Sequence, residues 1–210
     1  MSPRVEWLTV SADPDAWRSL GLVVTDDGHV PLYGTSLRIV APVDSSPTSV
    51  PSGITGWTYS GIDLDVSSID GLPTSHAPAG PPVFAEHALG AIGLDHVVVM
   101  TSQLDRTSAA IASATGCELK RIREVGTMRQ GFHRIGSGGL IVELVERPEV
   151  PDGPAAFWGL VIDVEDLDAA CALLGADRIS PPKDAVQSGR RIATIRAEVG
   201  LGLPVALMTP

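Results

Sequence analysis

The second half of the chain matches itself at one fixed offset of 63 residues, with no insertion. Gly93–Val99 (GLDHVVV) falls on Ala156–Ile162 (AFWGLVI). Gln103-Leu104-Asp105 falls on Asp166-Leu167-Asp168, and Gly139–Val145 (GLIVELV) on Gly202–Met208 (GLPVALM). Each copy reads as a strand, a helix and further strands. A unit of this size cannot bury its apolar face alone, so copies must pack on one another. Two curved copies side by side make a bowl with an inside. The same alignment shows what the second copy lacks, because His96 and Glu143 fall on Gly159 and Ala206.

Local patterns place these copies. Residues 94–101 form an apolar strand, and 103–115 suit a helix stopped at Gly116. Residues 120–125, 130–135 and 140–146 read as three strands, the last two joined across the glycine-rich 136–139. The matching strand of the next copy is 157–164 and its helix is 166–174. Its closing strands fall near 190–197 and 203–208.

Upstream, 5–11 reads as a strand. Asp13 is a good N-cap for a helix with Pro14 at its first position and an end at Gly21. Two short strands flank Gly34, residues 41–53 read as a loop, and 56–60 has strand composition. Residues 1–70 are therefore a degenerate copy in which Glu6 aligns with His96. Residues 71–92 form a Pro-rich connector that wraps the surface rather than a domain of its own, and 93–148 and 156–210 are the two clear modules.

Within the strands, side chains alternate between faces. His96, Val98 and Met100 share one face, and Ile141, Glu143 and Val145 share another. A carboxylate in the middle of an apolar strand is costly unless it is paired or bound to a cation, and His96 is the candidate partner. Phe157 shares a face with Gly159 and Val161, while Trp158 faces the helix. The glycine leaves room for a ring of a bound molecule, or else permits close packing. Two cationic stretches, Arg129–Arg134 and Gln187–Arg196, either carry forks that capture an anion at the mouth of the bowl or sit outside and pair with the many Asp and Glu residues. Alternation separates Arg129, Gly131 and His133 from Gln130, Phe132 and Arg134, so at most one set lines the inside. The candidate binding residues are Arg129, His133, Arg191, Phe157 and Gly159.

A net charge of −10 argues against nucleic acid or an anionic membrane as partner. There is no apolar run of about 18 residues, and the expectation is a soluble cytoplasmic protein. Cys117 and Cys171 have no metal-type or redox-type spacing and read as reduced thiols. Nucleophile-elbow, phosphate-loop, dinucleotide and His-Glu-x-x-His motifs are all missing.

The unit that opens Leu-Asp-His-Val-Val-Val and closes Leu-Ile-Val-Glu-Leu-Val resembles the vicinal oxygen chelate superfamily. That superfamily includes glyoxalase I, extradiol dioxygenases and bleomycin-resistance proteins. The resemblance covers 93–210 well and 1–66 faintly. It implies an α+β fold of βαβββ modules curved into an open, bowl-like mixed sheet. It also implies a metal-ligand position at His96 and another at Glu143, both absent from the following copy. Glu6 would complete a set for Mn, Fe, Ni or Zn if the first two copies faced each other. Glu143 and His96 are then the catalytic candidates of a divalent-metal lyase, isomerase or dioxygenase. The other reading is a metal-free bowl that binds a small molecule. Three copies leave an apolar face open, to be covered by a homodimer partner or by the N-terminal copy.

Overall fold

A computed structural model describes residues 2–42, 52–62, 66–81 and 83–210. Most of the expected loop at 41–53 lies outside them. In chain order the elements are β1 (Arg4–Ser11), α1 (Pro14–Arg18), β2 (His29–Val30), β3 (Ser36–Val40), β4 (Gly53–Ser60), β5 (Ser68–Ile69) and β6 (Leu72–His76). There follow β7 (Ala91–Thr101), α2 (Leu104–Thr115), β8 (Arg121–Val125), β9 (Met128–Arg134) and β10 (Ile141–Glu146). The last are β11 (Ala156–Val164), α3 (Leu167–Leu174), β12 (Lys183–Asp184), β13 (Arg191–Thr194) and β14 (Val205–Met208). The carboxylates of Asp13 and Asp166 accept hydrogen bonds from backbone N–H groups at the starts of α1 and α3.

Two mixed sheets result, one of six strands ordered β2-β3-β1-β4-β6-β5 and one of eight ordered β12-β13-β14-β11-β7-β10-β9-β8. Both follow one plan. Two antiparallel strands lie at the centre (β1 with β4, β7 with β11), and each is flanked by a parallel return strand. The N-terminal region therefore holds two reduced copies. One is β1-α1-β2-β3. The other is β4-β5-β6, with no helix among the described residues between β4 and β5. Within the expected connector at 71–92 lies β6, which completes the second reduced copy.

Buried residues of both sheets form one core, including Leu8, Val10, Trp57, Val97, Val99 and Leu160. The Phe157 ring meets Trp57 edge-on at 5.1 Å between centroids, which ties β11 to β4. The apolar face of the larger sheet is thus covered within one chain. Both cysteines are free thiols. No helix among the described residues is long and apolar enough to cross a membrane.

Candidate functional site

The other face of the eight-stranded sheet encloses a cavity of about 550 Å³, lined by residues from both ends of the sheet. Its floor can be read from the pairing registers. Ile141, His96, Val161 and Ala206 lie in one row across β10, β7, β11 and β14. Phe132, Glu143, Val98 and Gly159 form the next. In β7, Val97, Val99 and Thr101 are fully buried in the core, as alternation requires, and His96 points the other way.

The regular alternation breaks at Asp95. Leu94 pairs with Ile162 and His96 with Val161, so Asp95 is the extra residue of a β-bulge. A bulge re-aims its side chain, and here it brings Asp95 onto the His96 ring. Nδ1 of His96 lies 2.6 Å from Asp95 Oδ2. Arg190 donates to Asp95 Oδ1 and to Asp163 Oδ1, each at 2.5 Å. On the far side of the ring, His96 Nε2 stands 3.3 Å from Glu143 Oε2. Gln130 Nε2 donates to Glu143 Oε1 at 2.5 Å. The amide oxygen of Gln130 is buried with no hydrogen-bond partner.

Arg190 thus bridges two carboxylates whose proton affinities diverge. Burial pushes Asp95 up, but hydrogen bonds from His96 and Arg190 outweigh it and hold the group below the ordinary range. Asp163 is pushed up to about 6, first by burial and then by the charge of Asp95. With Asp95 accepting the Nδ1 proton, the Nε2 edge of His96 is the one left for Glu143 and the cavity.

These residues do not fit a metal triad. Among the described residues, no three His, Cys, Asp or Glu side chains converge on a point that could hold an ion. Asp95 is spent on the opposite nitrogen of the ring. One oxygen of Glu143 is occupied by Gln130.

No protein-family model matches the sequence, and no curated protein is significantly similar to it. Solved structures do match. A triple mutant of 4-hydroxymandelate synthase from Streptomyces coelicolor superposes with a TM-score of 0.70 at 16% identity, over 100% of this chain and 93% of that one. Methylmalonyl-CoA epimerase from Mycobacterium tuberculosis gives 0.49 at 19% identity, over 58% and 89%. The chain shares the fold of 4-hydroxymandelate synthase, a glyoxalase-like fold.

Within this fold the two sheets agree register for register. Trp7 pairs with Thr58 and Thr9 with Gly56, as His96 pairs with Val161 and Val98 with Gly159. Glu6 and Thr55 are skipped in their ladders just as Asp95 and Trp158 are. Trp7, Gly56, His96 and Gly159 are therefore equivalent. By the return strands, so are Arg38, Ser75, Glu143 and Ala206. One copy in four carries the polar pair.

The equivalence corrects the expected role of Glu6. It matches Asp95, not His96, one residue out of step. It is buried in the other sheet, accepting from Ser60 at 2.5 Å with Arg4 at 3.6 Å. Phe157 is also not on the bowl side. The bulge at Trp158 turns Phe157 into the core and leaves Trp158 exposed rather than against the helix. Gly159 does face the bowl but leaves no room for a ring, because Pro204 backbone packs against it.

The cationic candidates are placed differently as well. Arg129 is held by Asp105 and Glu146, and Arg191 by Asp168 on α3 at 2.7 Å. His133 is buried, bonded to Ser108 and the Cys117 carbonyl, and burial lowers its pKa. The other alternation set, Gln130, Phe132 and Arg134, reaches the cavity wall, and the buried His133 borders it as well. Sequence reasoning passed over Asp95, Asp163 and Gln130, and took Arg191 where Arg190 does the bridging. The GLDHVVV motif itself held Asp95, next to the histidine.

Proposed function

We propose that this protein binds a small organic molecule in the bowl of its eight-stranded sheet, with His96 and Glu143 as the polar contacts on the floor and no complete metal triad. The observation that carries the reading is the pair itself. Two ionisable side chains approach to 3.3 Å at the bottom of a cavity of about 550 Å³, a size within the usual range for small-ligand sites.

Each neighbour has a part in that reading. Asp95 fixes the ring tautomer and orientation. Arg190 holds Asp95 in place from behind. Glu143 offers one oxygen toward the ring, and Gln130 keeps a buried amide oxygen for a donor on the ligand. A ligand hydroxyl at the edge of this pair can give its proton to the Glu143 carboxylate, and a ligand carbonyl can only accept a hydrogen bond there.

Elemental analysis of the purified protein tests the reading directly. Sub-stoichiometric Mn, Fe, Ni and Zn, combined with thermal stabilisation by small-molecule library members that vanishes in His96→Ala, is the expected result. One divalent ion per chain, lost in His96→Ala, would replace it with a metal-dependent lyase, isomerase or dioxygenase.

A further inference from the structure

The wall of the bowl carries a charge opposite to that of the chain. The protein has a net charge of −10, with only two lysines among its fifteen basic residues. Both lysines, Lys120 and Lys183, line this one cavity, together with Arg121, Arg123 and Arg134. Three acids share the lining: Asp95, Glu143 and Asp184. Asp95 is already neutralised by Arg190.

Of the ten arginines outside this wall, six pair with carboxylates: Arg4, Arg18, Arg106, Arg129, Arg190 and Arg191. Among the described residues, none of the five cations of the wall makes an ion pair. Arg121 lies over the Phe132 ring at 4.8 Å instead. In a chain with 25 acidic residues, five unpaired cations, both lysines among them, gather around one concavity. Arg121 and Arg123 stand on β8, opposite Phe132 and Gln130, while Lys183 stands on β12. Those strands are the two ends of the sheet, so the cations face each other across the mouth. Low-dielectric walls between them focus a positive potential into the opening. Below lies an apolar lining of Phe132, Ile141, Ile192 and Met208.

We infer that the ligand of the bowl is an amphipathic organic anion. Its apolar body rests on Phe132, Ile141, Ile192 and Met208. Its acid group, a carboxylate or a phosphate, is held at the mouth by Arg121, Arg123 and Lys183. The inference rests on the reading of the bowl as a small-molecule site and adds the ligand's charge and shape.

Two dyes test it: 8-anilinonaphthalene-1-sulfonate, and N-phenyl-1-naphthylamine, which has the same rings without the acid. Fluorescence titration is expected to give the anionic dye an affinity about tenfold higher, falling as salt rises. The double change Arg121→Gln/Arg123→Gln should weaken the anionic dye about tenfold and leave the neutral one unchanged. Displacement by 1-naphthoate against 1-naphthyl phosphate then tells carboxylate from phosphate. Equal binding of both dyes, or an anionic dye indifferent to the double change, overturns the charge assignment while leaving the bowl as a site. Ile192→Trp, with its melting midpoint checked, should exclude both dyes. If neither dye binds the parent protein, or both still bind this folded variant, the small-molecule reading itself falls.

Discussion

Asp95 and His96 are consecutive residues of one strand, yet the histidine Nδ1 meets the aspartate Oδ2 at 2.6 Å. A regular strand would send them to opposite faces, and the bulge at Asp95 is what joins them. Asp95→Ala therefore strips a partner from both His96 and Arg190. The expected cost is about 1–3 kcal/mol, read as a lower urea midpoint at pH 7. Ring ¹⁵N shifts of His96 should at the same time report a mixture of tautomers in place of one. An unshifted midpoint with a single tautomer would show that the contact holds nothing.

Arg190 separates two carboxylates that would otherwise face each other. Asp163, pushed up to about 6, binds more protons folded than unfolded between about pH 4 and 6. Its contribution to stability therefore declines as pH rises through that window. Removing the cation leaves Asp95 and Asp163 uncompensated when both are ionised. Arg190→Gln should lower stability by about 3 kcal/mol at pH 7.5 and by clearly less at pH 5, where Asp163 takes up a proton. Thermal melts at the two pH values decide it, and equal losses at both would remove the carboxylate pair from the explanation.

The repeat was legible because it is carried by periodic apolar strands at a constant spacing, and the facing of His96 and Glu143 followed from alternation alone. The bulges were not. Asp95 and Trp158 are themselves 63 residues apart, so a self-alignment of the sequence runs straight through both extra residues. Alternation counted from Gly159 back to Phe157 then gives the wrong face. The same cause misplaced Glu6, whose true counterpart is one residue from the histidine. Whether Arg129 and Arg191 hold an anion or an acidic side chain stayed open in the sequence, because their ion partners lie on helices, Asp105 on α2 and Asp168 on α3. The strand β6 was hidden by its proline and by a copy that has no helix to announce it.

His133 offers a pH test outside the bowl network. Its Nδ1–H donates to the Cys117 carbonyl and its Nε2 accepts from the Ser108 hydroxyl, which uses both nitrogens of a neutral ring. Burial holds its pKa below the ordinary histidine value. The unfolded chain thus binds the proton more readily, and stability is lost as pH falls below about 6.5. His133→Gln should flatten this loss between pH 7 and 5.5 by about 1 kcal/mol, seen in urea unfolding across that range. A variant whose pH profile parallels the parent's would mean that His133 accepts its proton in place.

Gly159 and Gly56 hold the key to why the neighbouring copies lack a ligand. A Cβ on Gly159 would stand 2.6 Å from the Pro204 carbonyl oxygen, and one on Gly56 2.9 Å from that of Pro73. Both obstacles are backbone of the parallel return strand, which cannot swing aside as a side chain does. Any larger residue must force the two strands apart, so a histidine cannot simply be installed opposite His96 to complete a symmetric set. Gly159→Ala should cost about 1–3 kcal/mol, and Gly56→Ala a similar or smaller amount. Gly153→Ala, with no atom within 4 Å of its added carbon, should stay within about 0.5 kcal/mol of the parent. Gly159→His should melt lower still and gain no affinity for Zn or Ni by calorimetry. A stable Gly159→His variant that binds either ion tightly would mean that the strands can separate, and that close packing is not what keeps this copy without a ligand.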